Sequence, residues 1–182
     1  MRRRILATIT LMALLTVTAL PAAAHGGNHA SDRADNVHRQ LAKVRRATVK
    51  YFSIKKAERD GHQLGYIEPF LLDGCIAHPT DGAMGYHWFN HEMINDTELN
   101  PLHPEGLVYA PTSNGRLRLA AVEWIVPKAL WEAEGNTEPP ELFGQKLHVL
   151  NEALGWYILH AWVWKYNPSG VFSDWNPRVI CD

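Results

Sequence analysis

The sequence predicts an α+β domain, with an N-terminal long helix and a short helix packed on an antiparallel β-sheet, closed by one disulfide. Three observations predict it. Apolar residues recur at helical spacing from Asp35 onward. Beyond Gly61, short apolar runs alternate with Gly, Pro and Asn clusters. Two cysteines stand alone in a chain that opens with an export signal.

The signal comes first in the chain. Arg2, Arg3 and Arg4 precede an apolar run from Ile5 to Leu20, followed by Pro21 and Ala22-Ala23-Ala24. A basic head, an apolar stretch and an A-x-A site make a cleavable secretory signal over residues 1–24. The run is short for a permanent anchor across a hydrocarbon core of roughly 30 Å. Arg2-Arg3-Arg4-Ile5-Leu6 also fits a loose twin-arginine pattern, but the usual flanking residues are missing and the general secretory route is preferred. Cleavage leaves 158 of the 182 residues, enough for a single core spanning 35–182 behind a flexible lead at 25–34. The expected location is secreted or extracytoplasmic, with no membrane span after cleavage. The mature chain keeps 15 basic and 19 acidic residues, a net charge of −4 that argues against a nucleic-acid partner.

Cys75 and Cys181 survive cleavage. In an oxidising compartment an isolated pair most simply forms one bridge, and the absence of a CxxC spacing weakens the redox or metal-ligand alternative.

The elements follow in order. Asp32 suits a helix N-cap. Val37, Leu41, Val44, Thr48 and Tyr51, at alternating spacings of four and three, line one helix face. Ser53 caps a short second helix through Glu58, and Gly61 stands where a left-handed C′ residue belongs. Residues 31–60 hold nine basic and four acidic side chains. A solvated basic face is preferred there to an anionic partner, because the apolar stripe gives the helix a core. Strands are expected over Met84–Phe89, Leu107–Ala110, Leu117–Val126 and Trp156–Trp164. Ser113-Asn114-Gly115 turns the second of these into the third as a hairpin. Ala129–Ala133 reads as a short helical turn.

Several segments carry a resemblance: Gly85-Tyr86-His87-Trp88, Pro104 to Tyr109, Ala121-Val122-Glu123-Trp124-Ile125-Val126-Pro127, Leu142-Phe143-Gly144-Gln145, Leu159 to Trp164, and the closing stretch Asn167 to Cys181. Together these resemble a family of exported bacterial proteins of unassigned function, from about Thr48 to the C-terminus. The resemblance implies export and one domain; it brings no activity with it.

Chemistry is sought where polar residues are expensive. Alternation along Leu117–Val126 puts Leu117, Leu119, Ala121, Glu123 and Ile125 on one face, with Glu123 its only charge. His160 interrupts the row Trp156, Ile158, Trp162 and Trp164, and His87 shares a face with Gly85 and Phe89. A lone buried carboxylate needs a partner, a raised pKa or solvent. If His87, Glu123 and His160 converge, two imidazoles and a carboxylate suit a divalent metal (Zn, Mn or Fe), or acid/base catalysis by Glu123 and His160. The plainer alternative is a hydrogen-bonded pair inside the core. Trp88, Trp124, Trp162, Trp164 and Trp175 supply material for an aromatic ligand cleft, against simple core packing. The first reading of function is thus a binding or structural module with an aromatic-lined cleft; the alternative is a metal-dependent or acid/base enzyme. Cleavage before His25 also invites a copper site with His29, but glycines and a helix follow and nothing would hold it rigid. No phosphate-cradling loop, G-x-S-x-G elbow or HExxH occurs.

Overall fold

The computed structural model describes residues 29–67 and 70–181; the expected signal at 1–24 and His25 lie outside the described residues. Helix α1 runs from His29 to Thr48, so it starts inside the segment read as a lead. Asp32 in its first turn and Arg45 and Arg46 in its last complement the helix dipole. A 3-10 turn at Val49–Phe52 makes the kink before α2 (Ile54–Arg59). Ser53 sits at the cap of α2 in extended conformation, but its backbone carbonyl, not its hydroxyl, accepts from Lys56 and Ala57. Gly61, at φ +95°, ends the segment as its sequence position predicted.

Among the described residues, ten strands follow. They are β1 (His62–Leu64), β2 (Tyr66–Ile67), β3 (Phe70–Leu71), β4 (Ile76–His78), β5 (Gly82–Asn90), β6 (Gly106–Pro111), β7 (Leu117–Pro127), β8 (Glu141–Leu142), β9 (Gln145–Lys146) and β10 (Trp156–Ala161), with α3 (Lys128–Ala133) after β7. Six of them form one antiparallel sheet in the order β1-β5-β6-β7-β10, with β4 also paired to β5. β2 pairs with β3, and β8 with β9, as separate two-stranded ladders. β6 and β7 are the expected hairpin; the amide of Gly115 donates to Thr112 O and that of Thr112 to Arg116 O.

The sheet is covered on both faces, which is why its central strands read as nearly unbroken apolar runs. One face packs against Leu41, Val44 and Tyr51 of the helical segment and holds Trp88, Leu107, Tyr109, Val122, Trp124 and Leu159. Tyr109 Oη donates to the backbone oxygen of Tyr51 at 2.6 Å, so this fully buried phenol is satisfied. The opposite face carries two smaller apolar clusters. Ala83, Val108, Ala121, Trp162 and Val179 form one, and Phe89, Ile94, Ile125, Trp156 and Ile158 the other. The C-terminal segment is tied to this sheet by exchanged backbone bonds between Ala83 and Asn176, and Cys75–Cys181 fixes its end, with Cα atoms 5.6 Å apart.

Strict alternation fails between β4 and β5, where the register shifts at Ile76/Ala77, and at two places in the rows around Glu123 and His160. The β6–β7 register shifts between Val108 and Tyr109, pairing Val108 with Ala121 but Tyr109 with Leu119, so Ala120 is an extra residue on β7. This bulge sends Leu117 and Leu119 to the helix-side cluster, away from the Glu123 face on which alternation had placed them. β10 likewise stops at Ala161, three residues earlier than expected, and Trp164 packs against the helix-side cluster instead of continuing the row of Trp156 and Ile158.

Glu105, just before β6, is only 2% exposed. Its Oε2 accepts from the amide of Ile125 at 3.1 Å, yet burial pushes its carboxyl up to about 8. A carboxyl whose folded pKa lies above its unfolded value holds a proton that the unfolded chain releases. Stability is therefore highest below the ordinary carboxylate pKa. It falls by up to about 1.4 kcal/mol per pH unit until the folded pKa is passed. Denaturant unfolding between pH 5 and 8 should show this decline in the native protein and lose that component in Glu105→Gln; superimposable pH slopes would refute it.

Candidate metal centre

Three strands bring His87, Glu123 and His160 together on the face opposite α1. Glu123 on β7 stands directly across from His160 on β10 and from Gly106 on β6. His87 lies one strand further away, on β5, diagonal to Gly106. The glycine is what closes that distance. A Cβ at position 106 would lie 2.6 Å from Glu123 Oε2, so a side chain there would occupy the space into which the carboxylate leans. With that space open, His87 Nε2 comes within 3.6 Å of Glu123 Oε1, and His160 Nε2 within 2.5 Å of the same oxygen. One ligand-type atom from each of the three residues lies within 4.8 Å of the others. All three side chains are at most 3% exposed.

The imidazoles are held from outside. His87 stacks on Phe89, with ring centroids 5.6 Å apart and planes at 14°. His160 Nδ1 meets Asp174 Oδ1 at 3.2 Å, and the other Asp174 oxygen meets His148 Nε2 at 2.9 Å. A chain of ionisable groups therefore runs from half-exposed His148 through Asp174, His160 and Glu123 to buried His87. Asp174 and His148 are the members of this cluster that the sequence did not point to. Neither lies in an alternating strand row, and the only pointer to Asp174 was its place in the closing turn beside Trp175.

Electrostatics sorts the charges. Burial opposes a charge on His160, but the carboxylates of Glu123 and Asp174 on its two sides outweigh it and hold its pKa up at about 9. Burial works against ionised Glu123 as well, and is outweighed by the imidazoles of His160 and His87, which lower its pKa. Asp174 is held well below the usual carboxylate range by His148 and His160 against its own burial. For His87 burial wins, and its pKa is lowered. His160 Nε2 and Glu123 Oε1 meet in a short charge contact. The other carboxylate oxygen, Glu123 Oε2, is buried without a hydrogen-bond partner.

Chemically, this is a two-histidine, one-carboxylate donor set with one imidazole anchored by a carboxylate on its far nitrogen, the arrangement by which proteins orient metal-binding histidines. Of four tryptophans considered for a ligand cleft, only Trp162 and Trp164 border a common concavity, and Trp88 and Trp124 lie apart from it. Trp88 and Trp124 lie in the helix-side core, where Trp124 Nε1 donates to Asn100 O at 3.0 Å. Trp162 lies on the opposite face, its Nε1 bonded to Ser173 O at 2.6 Å. Trp164 donates to Thr48 Oγ1 at 3.1 Å beside α1. Comparison with protein-family models, curated proteins and solved structures finds no match.

Proposed function

We propose that the protein is a metal-binding module holding one divalent first-row ion on His87, Glu123 and His160, with Zn²⁺ preferred to Mn²⁺ or Fe²⁺. The observation that carries this reading is the convergence of three buried ligand-bearing side chains, in which the carboxylate oxygen Glu123 Oε2 has no hydrogen-bond partner. Leaving such a group unsatisfied costs about 1–3 kcal/mol, and more when charged. A Zn²⁺ ion, bonding nitrogen and carboxylate oxygen at about 2.0–2.2 Å, would satisfy it. Asp174, set against His160 Nδ1, leaves Nε2 as the donor atom. Zn²⁺ comes first because it accepts this nitrogen and oxygen set without redox chemistry, in a protein whose disulfide fits an oxidising setting.

Burial also fixes the scale of what reaches the centre. With side chains at most 3% exposed, an ion and a water are of the right size, and a polymer is not. The reading is accordingly that of a metal-holding module and not of an enzyme whose triad grips a bulky substrate.

Protein stripped with a chelator and titrated with Zn²⁺ against a chromogenic competitor is expected to take up one ion per chain with a Kd below micromolar. Affinity should fall at least a hundredfold in Glu123→Gln and in His160→Gln, with Mn²⁺ and Fe²⁺ measured in parallel under anaerobic conditions. Absence of uptake of all three ions, or uptake unchanged by both substitutions, would overturn the proposal.

A further inference from the structure

A different surface gathers cations beside aromatic rings. The segment after β10 crosses the start of β7, where the amides of Trp164 and Lys165 both donate to Ala120 O at 3.0 Å. This places Trp164 and Lys165 between the C-terminal part of α1 and Arg118 of β7. Two clefts, of about 310 and 330 Å³, share Trp164 and Lys165 as walls. Arg118 completes the first, Arg45 and Tyr166 the second, and neither is lined by an Asp or Glu. Among the described residues, Arg45, Arg118 and Lys165 make no ion pair, although the chain carries 19 acidic side chains.

The cations are interleaved with rings. Tyr166 is 68% exposed and Phe52 37% exposed. Phe52 meets the half-buried Trp164 edge-on at 4.7 Å, and Arg118 lies 5.4 Å from the Phe52 ring centroid. Arg45 is positioned by its Nε donating to Val163 O at 2.5 Å, which leaves the rest of its fork of donors for another acceptor. Guanidinium groups grip planar anions with two parallel hydrogen bonds, and a flat ring accepts the C–H face of a sugar.

We infer that the clefts around Trp164 bind an anionic saccharide, its rings against Trp164 and Tyr166 and its carboxylate or sulfate groups on Arg45, Arg118 and Lys165. Each cleft volume lies at the small end of ligand pockets, the size of a sugar ring and not of a folded partner. A nucleic-acid strand would call for a charged groove that tracks its backbone, whereas these are two short concave pockets on a chain of net negative charge.

The test uses the full mature chain in calorimetric titrations with an oligogalacturonate tetrasaccharide and a heparin-derived tetrasaccharide. The methyl-esterified galacturonate and the desulfated, N-acetylated, carboxyl-reduced heparin fragment serve as neutral partners. Binding of at least one anionic probe is expected in the micromolar to submillimolar range, at least tenfold tighter than its neutral partner. It should weaken at least tenfold in Arg118→Ala combined with Lys165→Ala, two side chains outside the core whose loss should leave the thermal midpoint and Zn²⁺ uptake unchanged. Failure of both anionic probes, equal binding of the neutral partners, or indifference to the double substitution would overturn the inference. So would binding only to phosphatidylglycerol vesicles or to single-stranded DNA.

Discussion

Glu123→Gln is expected to destabilise the metal-free protein by about 3–5 kcal/mol, the range for removing one partner from a buried charge pair. The substitution keeps the volume of the side chain and the space above Gly106, so little of the loss comes from packing. What it removes is the carboxylate that, with Asp174, keeps the buried His160 charged. The sign of the pH dependence follows. His160 has a folded pKa of about 9, above its ordinary value of 6.5. Its contribution is fully present below the unfolded pKa and is lost as pH rises through 9. Glu123, with its folded pKa lowered, contributes above the ordinary carboxylate value and loses that contribution as pH falls. The difference between native protein and Glu123→Gln should therefore be largest near pH 5–7 and shrink towards pH 10. Urea unfolding at pH 6 and pH 10 measures it. A variant equal in stability to the native protein at pH 6, or a penalty that does not change with pH, would show that the pair carries no such charge interaction.

Part of this centre was legible in the sequence because a strand's period of two is simple. Glu123 was the only charge on its row, and His87 and His160 each interrupted an apolar or aromatic one; the structure places all three side chains on one face and buries them. The same rule failed for Leu119 and Trp164, because a bulge at Ala120 and the early end of β10 each reset the count. No periodicity reports such events. Gly106 escaped notice for a related reason: its role depends on which residue stands opposite it, and pairing between β6 and β7 is a matter of register, not of composition. Asp174 and His148 come from irregular chain on either side of β10. Their meeting at His160 is a property of the folded path alone. The helices were the easier half, since Val37, Leu41, Val44, Thr48 and Tyr51 declare one face without reference to any other element.

Removal of the Cys75–Cys181 bridge is the second large effect expected. The bridge closes a span of 106 residues. On the chain-entropy argument a loop of that length restricts the unfolded state by about 4–5 kcal/mol. The Cys75→Ser, Cys181→Ser double variant should lose stability on that scale under oxidising conditions, while the native protein in reductant should fall to the same level. The loss should also be felt at the centre. Asp174, which orients His160, lies seven residues before Cys181 in the segment that the bridge and the Ala83–Asn176 bonds hold against the sheet. Zn²⁺ should therefore dissociate faster from the double variant than from the native protein at temperatures where both are folded, because local opening of the C-terminal segment precedes global unfolding. Stop-flow release into excess chelator gives the rate. Equal rates, with stability lowered as expected, would mean that Asp174 stays in place without the bridge and that the disulfide acts on the unfolded chain alone.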